Sequence, residues 1–500
     1  LRVDNQEALR KLLEPYNVRL IFNGHGHNDL VWEWDGITNT MNRGLYQGSW
    51  ERVQVDPDKD EVRLDRWRKE TQVFESVAVV PLKATKANRP VWAISDRSIG
   101  TSGSIASPRP GIRQYRWNEG KWTAVADGLI AWENLHPGHQ ALSLRGRGRD
   151  ETIDMTVVDR SSRLEPVWQR ELPGGVMSHA VIDDHDLILS MMDGAVTCLS
   201  AATGGRRWQA KTTGYCHSSS TVFDDLVIVG SADASLYAFD RANGDLRWKF
   251  ATEGPVYASA VVAKGVVVFG SGDGQFYGLD AKTGRQVWKR AMPASNTAFC
   301  QSRATSDGER VFLGAWDSHM YGLDAATGTT IWRQPCQERT FAFSPAISSP
   351  AYHAGRVYVA ANGNGLFCFD AVTGERVWMV ESPGEKYGHS SPRVIGDRLV
   401  VGCLGDLGEV RSVRLADGEV LWTASTKGVI YDSSPAIGDG FCAIGSVNGT
   451  LNVLATDSGA ILAQYRLGTG HFLSTPAAQK DMIWAATYGN MAHAFRLKRS

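Results

Sequence analysis

From about residue 180 onward one short sentence recurs along the chain: YAFDRANGDLRW, YGLDAKTGRQVW, YGLDAATGTTIW and FCFDAVTGERVW, with weaker copies CLSAATGGRRW and SVRLADGEVLW. The turn glycines are Gly204, Gly244, Gly284, Gly328, Gly374 and Gly418, and their successive spacings are 40, 40, 44, 46 and 44 residues. Each is followed four residues later by a tryptophan: Trp208, Trp248, Trp288, Trp332, Trp378 and Trp422. A degenerate copy, LNVLATDSGAILA, puts Gly459 next in phase, with Ala463 where the tryptophan would fall. A repeat constrains the fold more than any other feature, because one such unit cannot bury its apolar face alone and must stack on its neighbours.

Within each period, stretches such as LVIVGSADASLYAFD and VVVFGSGDGQFYGLD alternate apolar and polar residues between Gly/Asp turns, the pattern of strands and hairpins. A second recurring piece opens the units: HSSSTV, HSSPRV and LSTPAA, with Asp432-Ser433-Ser434-Pro435 as a further copy. Four strands in forty-odd residues is the arithmetic of a propeller blade, and no 3.6-residue period supports a helical solenoid. The last unit, HFLSTPAAQKDMIWAATYGNMAHAFRL, supplies three strands only. The missing strand stands ahead of the first unit as EPVWQREL, with Trp168 placed 40 residues before Trp208. The fold class is therefore mainly β, with a propeller over 163–498 closed by its own N-terminal strand, which removes the open sheet edges. The expected count is eight blades, with seven as the alternative.

The D-x-x-T-G-x-x-x-W ending resembles the pyrroloquinoline-quinone (PQQ) repeat, found in the propellers of quinoprotein dehydrogenases and of outer-membrane assembly lipoproteins. The resemblance covers about two-thirds of the chain and implies the fold, not an activity. The quinone enzymes carry adjacent cysteines, calcium-binding acidic and amide side chains and a catalytic Asp. No Cys-Cys pair and no matching carboxylate cluster is found here, so PQQ is not expected as a cofactor. A binding or scaffolding propeller is preferred over a PQQ-dependent oxidoreductase. The position before the recurring S-S pair is occupied by His217, His389 and Asp432, with Tyr257 at the corresponding place. Inner strands line a propeller's channel, so these four form a candidate ligand site, against the plainer reading of channel groups satisfied by water and neighbours. The repeated tryptophans read as blade-packing elements.

Ahead of the propeller, residues 69–160 lack the period. They offer short alternating strands, VFESVAVV, IRQYRW, KWTAVA, ALSLRGRG and TIDMTVVD, separated by turn clusters, while TSGSIASPRPG reads as an exposed loop. That is the pattern of a small β-sandwich; HPGHQALSLRGRGRDETIDMTVVD reads as its terminal hairpin, and the segment resembles the immunoglobulin-like modules that bridge secreted hydrolases to other domains. In residues 1–68, NQEALRKLLEPY predicts a helix, with Asp4 or Asn5 as its cap and Pro15 near its end. VRLIFNG predicts a buried strand, DLVWEWDGITNTMN a hairpin around Asp35-Gly36, and ERVQVDPDKDEVRLDRW another.

Between the strand and the first hairpin lies Gly24-His25-Gly26-His27. Strand, His-x-His loop and hairpins in that order resemble the C-terminal end of a calcineurin-like metallophosphoesterase. By that resemblance His25 and His27 are ligands to divalent metal ions, and imidazole suits Mn, Fe, Zn or Ni. Gly26 leaves room for both rings, and Asn23 and Asp29 are candidates for orienting them. The family's upstream D-x-H, G-D-x-x-D and G-N-H motifs do not precede His25. The chain is thus expected to be the C-terminal part of a longer phosphoesterase with a phosphoester substrate, and whether this stretch is itself an enzyme stays open. A non-catalytic propeller scaffold of the outer-membrane assembly type is the alternative.

Charge and cysteine usage narrow the partners. With 53 basic and 54 acidic residues, nothing favours nucleic acid. No apolar run reaches the ~18 residues of a membrane span, so a protein or surface ligand on the propeller is the expected partner. The seven cysteines, all beyond residue 197, include no C-x-x-C pair, which argues for buried thiols, with one disulfide left open. Localisation leans periplasmic or extracellular by resemblance of the modules.

Overall fold

The computed structural model describes residues 20–23, 30–34, 37–41, 51–68, 73–81, 98–108, 111–118, 120–146, 151–159, 161–292, 301–336, 347–361, 365–382, 384–468 and 471–498. These residues form strands and turns with no helix among them. The helix expected over NQEALRKLLEPY, and the loop holding His25, His27 and Asp29, lie outside the described residues. The chain divides into two compact units, one of residues 1–135 and 139–158, the other of residues 136–138 and 159–500.

In the first unit, Leu20–Asn23 runs parallel to Ile37–Met41, which pairs antiparallel with Leu30–Trp34. The second expected hairpin is formed by Glu51–Asp56 and Glu61–Arg68. Glu61–Arg68 also pairs with Val73–Pro81 through Val62↔Val80 and Leu64↔Ala78. The strands on either side of the expected division at 68/69 thus share one three-stranded sheet, in which Leu64 and Val80 are both buried. Farther on, Ile112–Trp117, Gly138–Gly146 and Glu151–Val157 share a sheet and bury Ile112, Tyr115, Leu142, Leu144, Ile153 and Met155 around Ile130. TSGSIASPRPG is not wholly a loop. Gly103–Ala106 forms a strand against Leu129–Trp132, since Ile105 packs on that same core.

The second unit is a succession of antiparallel sheets of four strands each, here lettered in chain order, with a fifth strand, Lys386–Tyr387, added to sheet F along Arg398–Leu404. Sheet A comprises Val181–Asp183, Asp186–Ser190, Ala195–Ser200 and Arg206–Lys211. Sheet B runs from Thr221–Phe223 to Leu246–Ala251, C from Val261–Ala263 to Gln286–Ala291, and D from Thr305–Ser306 to Thr330–Pro335. Sheet E runs from Ala351–His353 to Arg376–Val380, F from Arg393–Ile395 to Val420–Ser425, and G from Ala436–Gly438 to Ile461–Arg466. Sheet H joins Ala477–Gln479, Met482–Ala486 and Met491–Leu497 to Leu164–Glu171, which pairs antiparallel along Met491–Leu497. The strand carrying Trp168 thus closes the unit as the sequence predicts.

The recurring turn explains how sheets dock. Asp280 accepts hydrogen bonds from the Thr283 amide at 2.9 Å and hydroxyl at 2.7 Å, and the Gly284 amide donates to the Asp280 carbonyl at 2.9 Å. Gly284 has φ +70°, and a Cβ there would lie 2.7 Å from the Trp248 ring of the preceding sheet. Only glycine meets both demands. Trp248 in turn donates its indole N–H to the Ala281 carbonyl at 3.0 Å.

The same bond runs from Trp168 to Ala201, Trp208 to Arg241, Trp288 to Ala325, Trp332 to Ala371, Trp378 to Leu415 and Trp422 to Thr456. Sheet G carries Ala463 instead because sheet H takes its outer strand from the other end of the unit and so has no such turn to cover. There Tyr465 packs on Phe495 with ring centroids 4.8 Å apart.

The six described cysteines are free and buried, and burial pushes the thiols of Cys216, Cys403 and Cys442 up to about 12. They act as small apolar fillers. Trp288→Ala removes both a ring from the C/D joint and the donor to Ala325. It should cost about 3–5 kcal/mol, in the range of buried aromatic truncations, read as a lowered urea midpoint.

Candidate functional site

The first strands of neighbouring sheets pack on one another from C through H and from H to A, so they are the innermost strands of the unit. Each is entered through the S-S piece, and the two hydroxyls do different work. The first anchors its own sheet: Ser178 donates to the Ser190 carbonyl at 2.9 Å, and Ser390 and Ser433 accept from the Gly402 and Gly445 amides at 3.0 and 2.9 Å. The second accepts from the preceding sheet. The amides of His179, Ser219, Arg303, Ser349, Ser391 and Ser434 donate to Ser219, Ser259, Ser349, Ser391, Ser434 and Thr475 at 2.8–3.0 Å. Two links lack the hydroxyl because His179 and Arg303 replace it. There the Ala180 amide donates to the Thr475 carbonyl at 2.9 Å and the Ala304 amide to the Ser259 carbonyl at 3.3 Å.

The four residues singled out from the sequence stand one step outside this ring of bonds, in two pairs. His389 Nδ1 lies 2.8 Å from Asp432 Oδ1, with the His389 ring edge-on to Tyr431 at 4.7 Å. Tyr257 stacks on Tyr215 at 5.6 Å and their hydroxyls are hydrogen-bonded. His217 lies 5.9 Å from the Tyr257 ring. Burial holds the proton affinity of His217 below the usual range while the Asp432 charge opposes that shift. Burial, with Tyr215 alongside, pushes the Tyr257 phenol up to about 12.

The sequence reading missed a second group. Arg393, on the first strand of sheet F, brings Nη2 within 3.4 Å of His179 Nδ1 in sheet A. Burial drives His179 well below its usual pKa, and the charges of Arg393 and Arg303, then His217, add to the effect. Burial, with Arg303 next, pulls Arg393 down to about 10. The available signal lay in the repeat: SHA at 178–180 and SRA at 302–304 break a register that holds Ser or Thr in every other sheet. Among the described residues, no three His, Cys, Asp or Glu side chains converge as a metal site. His25, His27 and Asp29 lie outside those residues, and Asn23 is the last residue of its strand.

This architecture is that of a β-propeller of PQQ-like repeats. A protein-family model described as outer membrane protein assembly factor BamB matches residues 154–303, 192–340, 301–428 and 406–498. The chain belongs to that family. A curated relative, outer membrane protein assembly factor BamB of Shewanella oneidensis, is 26% identical over 126 residues, 23% of this chain and 32% of the relative. The chain thus spans about a third of the length of that relative. BamB from Moraxella catarrhalis superposes with a TM-score of 0.56 at 19% identity, covering 67% of this chain and 98% of that one. A europium-containing methanol dehydrogenase gives 0.55 at 12% identity, covering 68% and 94%. At these identities the likeness is one of fold.

Buried neutral histidines make the unit sensitive to acid. His493, stacked on Phe495 at 5.9 Å, has its pKa drawn from 6.5 down to about 4 by burial. Between those values the unfolded chain binds the proton and the folded chain does not, so stability falls as pH drops through that window. His493→Phe should flatten this slope, measured as urea midpoints at about pH 7 and pH 5.

Proposed function

We propose that this protein is a non-catalytic propeller scaffold that binds protein partners in outer-membrane protein assembly, on the periplasmic side of that membrane. The observation that carries the reading is the family match across 154–498, which runs through the whole circuit of sheets A to H. That circuit supports eight blades rather than seven. Residues 69–160 serve as an immunoglobulin-like spacer ahead of it.

Two features suit protein binding. Among the described residues, the outer strands of sheets B to E pair on one side only and present aliphatic side chains to solvent, including Leu246, Val287, Ile331 and Val377. An exposed strand edge flanked by apolar groups is the surface that strand addition or apolar docking uses. Photo-crosslinking groups placed at Val287, Ile331 and Val377 in the full-length protein in cells should trap a component of the outer-membrane protein assembly machinery. No such adduct from any of the three positions would remove the reading.

A second reading attaches to the N-terminal segment, where His25 and His27 lie in sequence between the strand Leu20–Asn23 and the paired strands Leu30–Trp34 and Ile37–Met41. A strand, then the two histidines, then paired strands is the order that the metallophosphoesterase resemblance implies, and on this reading His25 and His27 contribute imidazole ligands to Mn, Fe, Zn or Ni. A bound ion would supply Lewis-acid activation of a phosphoester. The full-length protein should then hydrolyse a phosphodiester with Mn²⁺ and lose that activity in His27→Ala. Turnover that is absent, or indifferent to the substitution, would discard it.

A further inference from the structure

The hydroxyl circuit has a cost-bearing irregularity. Six of the sheets place Ser or Thr at the linking position, but sheets A and D place His179 and Arg303 there and forgo the side-chain bond from the neighbour. Sheet F adds a second departure two residues farther along its strand. Arg393 stands where the other sheets carry Val181, Thr221, Val261, Thr305, Ala351, Ala436 and Ala477. Arg393 reaches His179 across the unit, and Arg303 acts electrostatically on both.

Neither arginine has an acidic partner among the described residues. No ion pair joins Arg303 or Arg393 to a carboxylate there, and burial alone perturbs Arg303. The one carboxylate of the neighbouring register, Asp432, is engaged by His389. Two guanidinium groups held near each other, partly out of water and without counter-charge, are unfavourable for the fold by themselves. A purely structural role would be served better by the serine found elsewhere in the circuit. Their planar donor forks match the paired oxygens of a carboxylate or phosphate. His179 adds a ring nitrogen at 3.4 Å from one fork.

We propose that Arg303, Arg393 and His179 form an oxyanion-binding site inside the propeller, taking a small doubly charged anion: a phosphate group or a dicarboxylate. Two cations balance a dianion, and the groups converge from three different sheets, so the site exists only in the closed ring. It does not depend on what the outer strands bind.

The test uses the full chain with inorganic phosphate and, separately, succinate, each against chloride at equal ionic strength. Saturable binding by calorimetry and a raised melting temperature are expected for at least one anion. Tighter phosphate binding assigns a phosphate ligand, and tighter succinate binding a dicarboxylate. Arg303→Gln and Arg393→Gln should each weaken binding about tenfold or more, while Arg414→Gln, an exposed arginine paired with Asp417 and Glu419, should leave it unchanged. Without anion, both channel variants should melt no lower than the parent, since each removes a partly buried charge that has no acidic partner among the described residues.

A readout that needs no variant is the histidine NMR spectrum: anion should shift His179 and leave the exposed His185 and His353 in place. Absence of saturable binding for both anions, binding unaltered in both glutamine variants, or an unmoved His179 would overturn the proposal.

Discussion

The contact on which the second unit depends is a tryptophan laid over a glycine of the next sheet. Its indole N–H donates to a carbonyl at the start of that glycine's turn, and its ring occupies the space a Cβ would need. One residue therefore supplies apolar burial, a directed hydrogen bond and a steric lock, all across a joint between sheets. Dispersion and burial alone would let neighbouring sheets slide. The indole bond adds a fixed point, and repetition of that point makes the sheets equivalent. The turn is prepared for this by its aspartate and threonine, which satisfy local amides before the neighbour arrives.

Nearer the axis a second set of bonds does the complementary work. Serine and threonine hydroxyls take the amides of adjacent inner strands, which would otherwise be donors without partners in a crowded interior. Outer tryptophans and inner hydroxyls together hold each sheet at two radii. The inner set tolerates substitution because a backbone carbonyl can accept instead, as it does beside His179 and Arg303. That tolerance is what allows the interior to carry charged side chains at a few positions without opening the ring.

Legibility from sequence followed the range of the interaction involved. The repeat, the strand order and the closing strand of Trp168 were readable because each rests on local patterning copied several times. The missing tryptophan at Ala463 was readable as a fact, but its cause was not. It follows from sheet H borrowing its outer strand from far away in the chain, which deletes the turn that such a ring would cover. The pairing of Glu61–Arg68 with Val73–Pro81 across the change in composition at 68/69 was not readable, because a sheet contact between strands leaves no mark in local patterning. The loop assigned to TSGSIASPRPG concealed a short strand because one isoleucine, Ile105, was enough to draw it onto a core.

His217, Tyr257, His389 and Asp432 stood out because they share a register. Which of them pair, and the meeting of His179, Arg303 and Arg393, came from the closed ring alone. Sequence patterning sets what repeats: apolar alternation, the turn chemistry and the tryptophan phase are written within about forty residues. The tertiary structure decides what converges, since residues 214 positions apart face each other only after the last sheet has found its first strand. Local preference is encoded residue by residue, whereas proximity across a ring is a property of closure.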